Sequence, residues 1–317
     1  MLSPKALQMR SRTNPLTSGC TATILVNWNG AALTLDCLRS LAAAGVNMPD
    51  VYVVDNGSTD GSLGALQAAH TGAVILDAGR NGGFGAGNNV ALRHIAGLGY
   101  EFVWFLNNDT TVTPETLPRM LVVMTARPDV GAVGCRLVYA DEPARVQAWG
   151  GGRVSFWLGR SVHARAPLPE GRLDYLTAAS VLIRASALER VGLFDEGFFM
   201  YWEDTDLSFR LRRAGYKLAV AGQAVVRHRE SASAGKGGAK LDEMFSASAA
   251  RFFLKNYGWC GWQPLLTGAA MRAAKRLVRL QFKRALAVLK GTRAGLRVRI
   301  RTRPAPAAAR SKMTQCP

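Results

Sequence analysis

The sequence predicts an α/β fold with a Rossmann-like, mostly parallel sheet and helices on both of its faces. From Thr21 onward, short β-branched and apolar runs alternate with helical patterns. This alternation is typical of β-α-β units, in which parallel strands are buried on both faces. With 317 residues, 48% of them apolar and 20% charged, the chain can bury a sizeable core and is not intrinsically disordered.

The elements of the first half follow in chain order. Four apolar runs predict strands at residues 21–26, 51–55, 74–76 and 102–106. Helical patterns are found at residues 31–44 and around residues 90–96. Pro114 is expected to open a further helix with Thr113 as its N-cap.

The second half is less regular. A hairpin and three strands are predicted, in order, at residues 150–163, 176–184, 217–221 and 224–226. Between them, residues 203–214 have the apolar spacing of a helix, and Gly215 is a suitable residue to end it.

The positive charge of the chain lies almost entirely outside this α/β region. The net charge is +18, from 40 Lys and Arg against 22 Asp and Glu. Residues 251–317 contain 16 of the bases and no acid, and residues 1–20 contain three, so residues 21–250 carry a charge of about −1. A globular core that binds nucleic acid is therefore not expected.

The basic part of the chain needs its own interpretation. Residues 272–303 combine 12 Lys and Arg with interleaved apolar residues, which predicts a moderately amphipathic helical region. Such a region favours an anionic membrane surface, at about 1 kcal/mol for each cation near the lipid. A protein partner and a solvated tail are alternatives, and a nucleic-acid-binding arm is the least favoured one.

These patterns divide the chain into four parts. They are a disordered extension at residues 1–19, the α/β domain at 20–250, a basic amphipathic helical region at 251–303 and a disordered tail at 304–317. Because the acids and the strand-like runs end by about residue 245, we expect the α/β core to pack without the basic tail at residues 272–317.

Neither export nor membrane insertion is expected. The first 19 residues include Lys5, Arg10 and Arg12 but no apolar stretch of the kind that signal peptides contain. No apolar run approaches the roughly 20 residues that span a bilayer. Five cysteines without a C-x-x-C motif indicate a reducing compartment. The expected location is the cytoplasm, with peripheral attachment to the inner face of the plasma membrane.

Polar clusters follow three strands of the predicted sheet, at the edge where open α/β folds bind ligands. They are Asn27 with Asn29, Asp55 with Asn56, and Asn108 with Asp109. Asp55 could accept hydrogen bonds from a nucleobase or a ribose, or it could simply cap the turn that follows it. Asp109 could be a helix N-cap, or a ligand of Mg²⁺ if a diphosphate binds nearby. His228 could be a metal ligand or an ordinary exposed histidine.

Residues 80–89 contain four glycines within six positions. The segment is neither a P-loop nor a G-x-G-x-x-G motif, since no Lys-Ser/Thr pair follows and Asn88 stands where a third glycine would be. A glycine-rich loop still lets the backbone approach a phosphate or a sugar, and Arg80 can donate to either. A plain flexible loop is the alternative.

Residues 194–206 form the densest group of aromatic and acidic residues. Large aromatic side chains precede Glu203, Asp204 and Asp206 at the expected start of a helix. Acids are favoured at this position by the helix dipole, and Asp206 can pair with Arg210 one turn later. Acids beside aromatic rings also fit a general base in a sugar-binding wall.

Taken in order, these motifs resemble the family-2 inverting glycosyltransferases of the GT-A fold, and most closely the bacterial rhamnosyltransferases of surface-polysaccharide assembly. The motifs are TILVNWNG at 23–30, VVDNGSTDGS at 53–62, GRNGGFGAGNN at 79–89, LNNDT at 106–110, GLFDEGFFMYWEDTDLSFRLRRAGY at 192–216 and VRH at 226–228. The resemblance covers about residues 20–235 and does not include the basic region.

The resemblance implies roles for the acceptor side of the site. Asp204 would be the catalytic base, with Glu203 beside it. Trp202 and Ala178 would lie on the acceptor side, where relatives often have a Gly-Ala pair in place of the residues around Ala178.

The resemblance also implies a metal site and a donor site. Asp109 and His228 would hold Mg²⁺ or Mn²⁺, with Asn107 in place of the first acid of the family's D-x-D motif. The nucleotide sugar would contact a larger group, Asn27, Asn29, Asp55, Asn56, Arg80, Asn81, Gly82, Gly83, Gly85, Asn88 and Asn108.

The activity that the resemblance implies is the transfer of a sugar, with inversion, from a nucleotide diphosphate sugar to a glycan or a lipid-linked saccharide. The expected donor is dTDP-L-rhamnose. A UDP-hexose and a non-catalytic nucleotide-sugar-binding protein of the same fold remain alternatives. Inversion requires one general base and a counterion for the departing diphosphate, and no second carboxylate acts as a nucleophile.

Overall fold

A computed structural model describes residues 20–169, 171–229 and 238–297. The predicted disordered extension at residues 1–19 and the predicted disordered tail at residues 304–317 lie outside the described residues.

The first half of the chain is a series of β-α-β units, as predicted. Its elements are β1 (Thr21–Asn27), α1 (Ala31–Ala43), β2 (Val51–Asp55), α2 (Ser62–Ala68), β3 (Val74–Asp77), α3 (Phe84–His94) and β4 (Phe102–Leu106). The four strands lie side by side in the order β3-β2-β1-β4, and every neighbouring pair is parallel.

The second half completes the sheet with strands of both directions. Its elements are β5 (Thr110–Val112), α4 (Thr116–Ala126), β6 (Val130–Tyr139), β7 (Val146–Trp149), β8 (Gly151–Ser155), β9 (Arg160–His163), β10 (Tyr175–Leu176), β11 (Ser180–Arg184), α5 (Ala185–Val191), α6 (Glu203–Arg213) and β12 (Lys217–His228). Within the described ranges the main sheet has nine strands, in the order β3-β2-β1-β4-β11-β6-β12-β5 with β7 paired to β6. Only β5, β7 and β11 oppose the common direction, so the sheet is mostly parallel, as predicted.

The two faces of the sheet are covered by different helices. Apolar side chains of α1, α2 and α4 form a core on one face, and those of α3, α5 and α6 form a second core on the other. The predicted hairpin is present as β8 and β9, which form a separate small sheet with β10.

Several predicted boundaries differ from the structure. Helix α4 begins at Thr116, and the hydroxyl of Thr113 contacts the Thr116 hydroxyl instead of capping the helix. The two short strands predicted between residues 217 and 226 are one strand, β12, which has a register shift between Ala221 and Val225.

In the first half, the largest difference from the prediction is at the glycine-rich segment, residues 80–89, which was expected to be a loop. Helix α3 begins within it, at Phe84. Only the residues before it form a loop, whereas Gly85 and Gly87 lie in the helix. A Cβ on Gly85 would lie 3.1 Å from the Phe194 Cβ, and one on Gly87 would lie 2.9 Å from a methyl group of Val26. These two glycines therefore let α3 pack closely, and they do not supply loop flexibility.

The described part of the basic region, residues 251–297, is helical and packs on the rest of the fold. Helix α7 (Ala239–Tyr257) is followed by α8 (Trp262–Val278) and α9 (Phe282–Arg297), so the predicted boundary at residue 250 falls inside a helix. Phe252 and Phe253 on α7 are fully buried against Phe198 and Trp202. Helix α7 therefore packs on the α/β core as a whole, and the limit of the core does not lie at residue 250.

Helices α7 and α9 approach each other closely. A Cβ on Gly291 would lie 2.0 Å from the Glu243 carbonyl oxygen, and one on Gly295 would lie 2.4 Å from that of Ala247. Within the described part of the chain, no helix combines the length and the apolar character that a membrane span requires.

Candidate active site

A buried polar network lies where β1 and β2 end. The parallel register places Asn27 beside Asp55. The amide of Asn27 donates to an Asp55 carboxylate oxygen at 2.8 Å, and the backbone N–H of Ser58 donates to the other at 2.9 Å. The Thr34 hydroxyl donates to the side-chain oxygen of Asn27 at 2.7 Å and accepts from the side-chain amide of Asn108 at 2.9 Å. Because its members bond to one another, the network is held in place before any ligand binds.

A second set of contacts joins the turn after β2 to the loop before α3. The amide nitrogen of Asn56 donates to the Asn81 side chain and to the Gly83 carbonyl oxygen, both at 3.1 Å. The side-chain oxygen of Asn56 accepts from the backbone N–H of Gly82 at 3.3 Å. The predicted donor residues of these two segments are therefore brought together.

The loop before α3 is held on two sides. A Cβ on Gly57, which has a φ of +70°, would lie 2.5 Å from the Arg80 carbonyl carbon. Gly83 has a φ of +89°, and a Cβ there would lie 2.1 Å from the Phe199 carbonyl oxygen, which accepts from the Phe84 N–H at 2.9 Å. Only glycine fits both positions, so the loop is clamped between the β2 turn and the segment that leads to α6.

The remaining predicted donor residues differ in exposure. Asn29 and Arg80 are exposed, and the Asn29 side chain accepts from the Thr59 N–H at 2.8 Å. Asn88 is buried in α3, where its amide donates to the Phe84 carbonyl oxygen at 2.9 Å. In this structure Asn88, like Gly85, has a packing role, and its contact with a donor stays a prediction.

The predicted metal residues meet at the ends of β4 and β12. An Asp109 carboxylate oxygen lies 3.1 Å from His228 Nε2, and the Asn107 amide nitrogen lies 3.3 Å from the same atom. The other ring nitrogen of His228, Nδ1, lies 2.8 Å from the side-chain carbonyl oxygen of Gln147. Since that oxygen can only accept, Nδ1 carries the proton and Nε2 is the atom that faces Asp109.

This donor set fits a divalent cation that also binds a diphosphate. Asp109 and His228 are both nearly buried, and a second side chain, Gln147, orients the imidazole, as is usual for metal-binding histidines. Among the described residues, no group of three or more His, Cys, Asp and Glu could hold a metal. A cation here would therefore depend on phosphate oxygens for much of its coordination, which is the usual arrangement for Mg²⁺.

Asp204 and Glu203 differ at the start of α6. Asp204 is half-buried, and its carboxylate accepts from the backbone N–H groups of Ala178 at 3.2 Å and Thr205 at 2.6 Å. Burial raises the pKa of Asp204, although these hydrogen bonds and the charge of His163 oppose the shift. Burial and the neighbouring Asp204 charge raise the pKa of Glu203 well above its usual value. Asp204 is therefore the better candidate for a general base.

Two of the other three acids of the segment, Asp206 and Asp195, are paired with cations of α6 and α7. Asp206 is fully buried and contacts Arg210 at 2.9 Å, which confirms the predicted pair, and it also contacts Lys255 at 2.8 Å. Asp195 contacts Lys255 at 2.7 Å and Arg251 at 2.8 Å. These acids hold α7 against the start of α6.

The predicted acceptor-side residues are not exposed to an acceptor. Trp202 is only 3% exposed and packs against Phe245, Phe252 and Phe253. Ala178 is also buried, and its contribution is the N–H that anchors Asp204. Helix α7 covers the aromatic segment around Trp202, and a contact of Trp202 or Ala178 with an acceptor stays a prediction.

Three residues near the site were not predicted from the sequence. Gln147 orients His228, and a lone glutamine on a strand carries no motif. The Tyr175 hydroxyl lies 3.1 Å from His163 Nδ1, and burial together with the Asp204 charge raises the pKa of Tyr175. The only sequence feature that could have indicated any of these residues is the position of His163 at the end of the predicted hairpin.

A cavity of about 460 Å³ lies between α7, α9 and the segment before α6. Phe199, Met244, Ala247, Arg251 and Gly295 are among its lining residues. Through Phe199 the cavity reaches the segment that clamps the loop before α3.

Residues 19–245 match the family model described as "Glycosyltransferase like family 2". The chain belongs to this family. Among its relatives, the N-acetylglucosaminyl-diphospho-decaprenol L-rhamnosyltransferase of Mycobacterium tuberculosis is 29% identical over 225 residues, which cover 63% of this chain and 72% of the relative. Rhamnosyltransferase WbbL of Escherichia coli is 26% identical over 151 residues, which cover 43% and 56%. The resemblance to rhamnosyltransferases is thus confirmed.

Solved structures of glycosyltransferases have the same fold. The mannosyltransferase PcManGT from Pyrobaculum calidifontis, in complex with GDP-Man and Mn²⁺, aligns with a TM-score of 0.57 at 17% identity, over 89% of this chain and 88% of that one. GalNAc-T7 with UDP, GalNAc and Mn²⁺ aligns with a TM-score of 0.60 at 11% identity, over 87% and 55%. The predicted GT-A fold is confirmed.

Proposed function

We propose that this family member transfers a sugar, with inversion, from a nucleotide diphosphate sugar to a saccharide or lipid-linked saccharide acceptor in cell-surface polysaccharide assembly. The observation that carries the proposal is the set of contacts made by the Asp204 carboxylate. Its carboxylate is anchored by two backbone N–H groups, and no cation of the described residues pairs with it, whereas Asp195 and Asp206 are both neutralised. A carboxylate held in this way can accept a proton.

The proposed roles follow from position and chemistry. Asp204 accepts the proton of the acceptor hydroxyl while that oxygen forms a bond to the anomeric carbon and the bond to the diphosphate breaks. The network around Asn27 and Asp55 holds the nucleoside. Asp109 and His228 would hold Mg²⁺ or Mn²⁺, which supplies positive charge to the departing diphosphate.

We propose dTDP-L-rhamnose as the donor. Support comes from two relatives named as rhamnosyltransferases, at 29% and 26% identity. The first of these is also named for an acceptor in which a diphosphate links the sugar to a polyprenol, which supports a lipid-linked acceptor here.

A donor panel tests the proposal. Thermal shift and nucleoside diphosphate release are measured with dTDP-rhamnose, UDP-glucose, UDP-N-acetylglucosamine and GDP-mannose, each with Mg²⁺ or Mn²⁺, and the anomeric configuration of the product is read by NMR. We expect dTDP-rhamnose to stabilise the protein and to be turned over with inversion.

The panel also separates the alternatives. Turnover of a UDP-hexose instead would overturn the rhamnose assignment alone. Binding without turnover in the presence of candidate acceptors would favour a non-catalytic protein. The Asp204→Asn variant serves as the matched control, since it should bind the donor without releasing nucleoside diphosphate.

A further inference from the structure

Helix α9 buries its small side chains and exposes its large ones. Its buried side consists of Ala285, Ala287, Val288, Gly291 and Gly295. Its opposite side carries four large apolar residues that are between 39% and 64% exposed, Phe282, Leu286, Leu289 and Leu296. An ordinary surface helix turns its large apolar residues toward the core, so this arrangement indicates that the exposed side meets another apolar phase.

The exposed apolar surface continues onto α8 and the turn that joins it to α9. The exposed residues there are Leu266, Met271, Leu277, Val278 and Leu280. Together with the exposed residues of α9 they form a surface that we call the outer face. Isolated exposed apolar residues are common, but nine on two consecutive helices and the turn between them are more than that background, and such a concentration marks an interaction site.

Cations accompany the apolar residues of the outer face. The exposed ones are Lys275, Arg279, Lys283, Lys290, Arg293 and Arg297. No Asp or Glu follows Glu243 in the chain, so neither α8 nor α9 contains an acid. By contrast, the partly buried Arg276 and Arg284 pair with Asp242 on α7 and fix the helices to one another.

The charge of the outer face decides what can cover it. Residues 298–317 contain five Lys and Arg and no acid, and residues 1–19 contain three and no acid, so neither terminal segment could neutralise it. A second copy that bound through the same face would bring a second set of cations. The occupant must combine negative charge with an apolar phase.

We propose that the outer face docks on an anionic lipid bilayer. The leucine, valine and phenylalanine side chains enter the boundary between headgroups and acyl chains, and the Lys and Arg side chains extend to the anionic headgroups. The membrane-binding element is thus a packed helix pair with an inverted apolar pattern, and not a free basic tail.

Docking through the outer face would bring the cavity between α7 and α9 toward the headgroups. Ala294 and Gly295 of α9 line the 460 Å³ cavity that reaches Phe199, whose carbonyl oxygen helps to clamp the loop before α3. A lipid-linked acceptor would then approach the loop before α3 from the side of this cavity. This consequence rests on the proposed function, but the docking itself does not.

Vesicle cosedimentation of the full chain tests the docking. One set of vesicles contains phosphatidylcholine alone, and the other contains phosphatidylcholine with phosphatidylglycerol. The charge variant is Lys283→Gln/Lys290→Gln/Arg293→Gln, and the apolar variant is Phe282→Ser/Leu286→Ser/Leu289→Ser. The matched control is Leu98→Ser/Val122→Ser, since both residues are 53% exposed and lie elsewhere on the surface.

We expect the wild type to bind the anionic vesicles preferentially, and more weakly as salt is added. Loss of three near-surface cations at about 1 kcal/mol each should weaken binding on the order of 100-fold. The apolar variant should also bind more weakly, and the control should match the wild type. Thermal melting verifies that each variant is folded, and Leu286→Ser alone replaces any triple variant that is not.

Two results would overturn the proposal. One is equal binding of the wild type to neutral and anionic vesicles, or no binding to either. The other is wild-type-like binding by both the charge and the apolar variants, since the lipid would then contact another surface. Binding of an acidic protein by the outer face, without binding to either kind of vesicle, would overturn the proposal in the same way.

Discussion

The acids around the start of α6 fall into two groups with different partners. Asp195 and Asp206 lie on either side of Glu203 and Asp204 in the sequence, and Lys255 contacts both of the outer acids at 2.7 and 2.8 Å. Within the described chain, no cation pairs with Glu203 or Asp204. One short segment therefore contains both ion-paired and unpaired carboxylates.

The pKa values of Asp195 and Asp204 shift in opposite directions. Burial alone would raise the pKa of Asp195, but the hydrogen bond and the charge of Lys255 help to lower it to about 2. Burial raises the pKa of Asp204, and the charge of His163 opposes this shift without reversing it. The position of α7 thus decides which acids stabilise the fold and which one remains available for proton transfer.

Replacement of the unpaired acid should have the largest effect on activity. Asp204→Asn removes the proposed base and should lower kcat by roughly 10²- to 10⁴-fold, with donor affinity nearly unchanged. Steady-state kinetics and donor titration measure the two quantities. The thermal midpoint should change little, because the buried site already disfavours the charged form of Asp204.

Asp206→Asn is the matched control for this prediction. It should lower stability, because Arg210 and Lys255 lose a fully buried partner, while the folded fraction keeps its turnover. Wild-type kcat in the Asp204→Asn variant would contradict the assignment, and Glu203 would become the next candidate.

Removal of the shared cation should have the largest effect on stability. Lys255→Met leaves Asp195 and Asp206 with one charged partner each and should cost about 3 kcal/mol in the free energy of unfolding. Urea denaturation measures this. The matched control is Lys217→Met, because Lys217 and Asp129 form an exposed pair that should contribute about 1 kcal/mol or less. Similar costs for the two variants would mean that Lys255 has no special structural role.

Asp109 adds a third kind of environment, since its carboxylate lies 3.1 Å from a histidine ring nitrogen. His228→Ala should remove most of the affinity for Mn²⁺ in the presence of nucleoside diphosphate. Gln147→Ala should reduce that affinity by roughly 10- to 100-fold, because it only orients the imidazole. Calorimetric titration of Mn²⁺ measures both. If chelation by EDTA leaves activity unchanged, neither residue has the proposed role.

The parts of the fold that could be predicted from sequence depend on local patterns. Strands β2 and β4 have the predicted bounds, because buried runs between turn residues are recognisable without knowledge of the partner strand. The meeting of Asp109 with His228 followed from the resemblance, and the register between β5 and β12 places these residues together.

The errors have a common cause, which is packing between distant segments. Gly85 and Gly87 are poor helix formers, yet close packing against Phe194 and Val26 requires them within α3. Trp202 is buried by phenylalanines of α7 that lie some fifty residues further along the chain. Composition alone made the region after residue 250 resemble a tail, because its charge is visible in the sequence and its buried face is not.

The smallest effect, a pH dependence, tests the comparison of Asp195 with Asp204 directly. The pKa of Asp195 is about 2 in the folded protein, against an ordinary value of 3.8. Its contribution, at most about 2 kcal/mol, is therefore fully present above pH 3.8 and is lost as the pH falls toward 2. Asp204 has a raised pKa, so its base form is lost at a higher pH than the ion pair of Asp195.

Between these two pKa values the protein should be folded but inactive. We expect kcat to fall first on acidification, with the unfolding midpoint in urea decreasing only at lower pH. Lys255→Met should flatten the acid limb of the stability curve, because Lys255 contributes more than the Gly197 N–H or Arg251 to lowering the Asp195 pKa. It should leave the acid limb of kcat in the folded protein where it was. If kcat and stability decline over the same pH range in the wild type, loss of activity on the acid side reflects unfolding, and Asp204 has no separate titration.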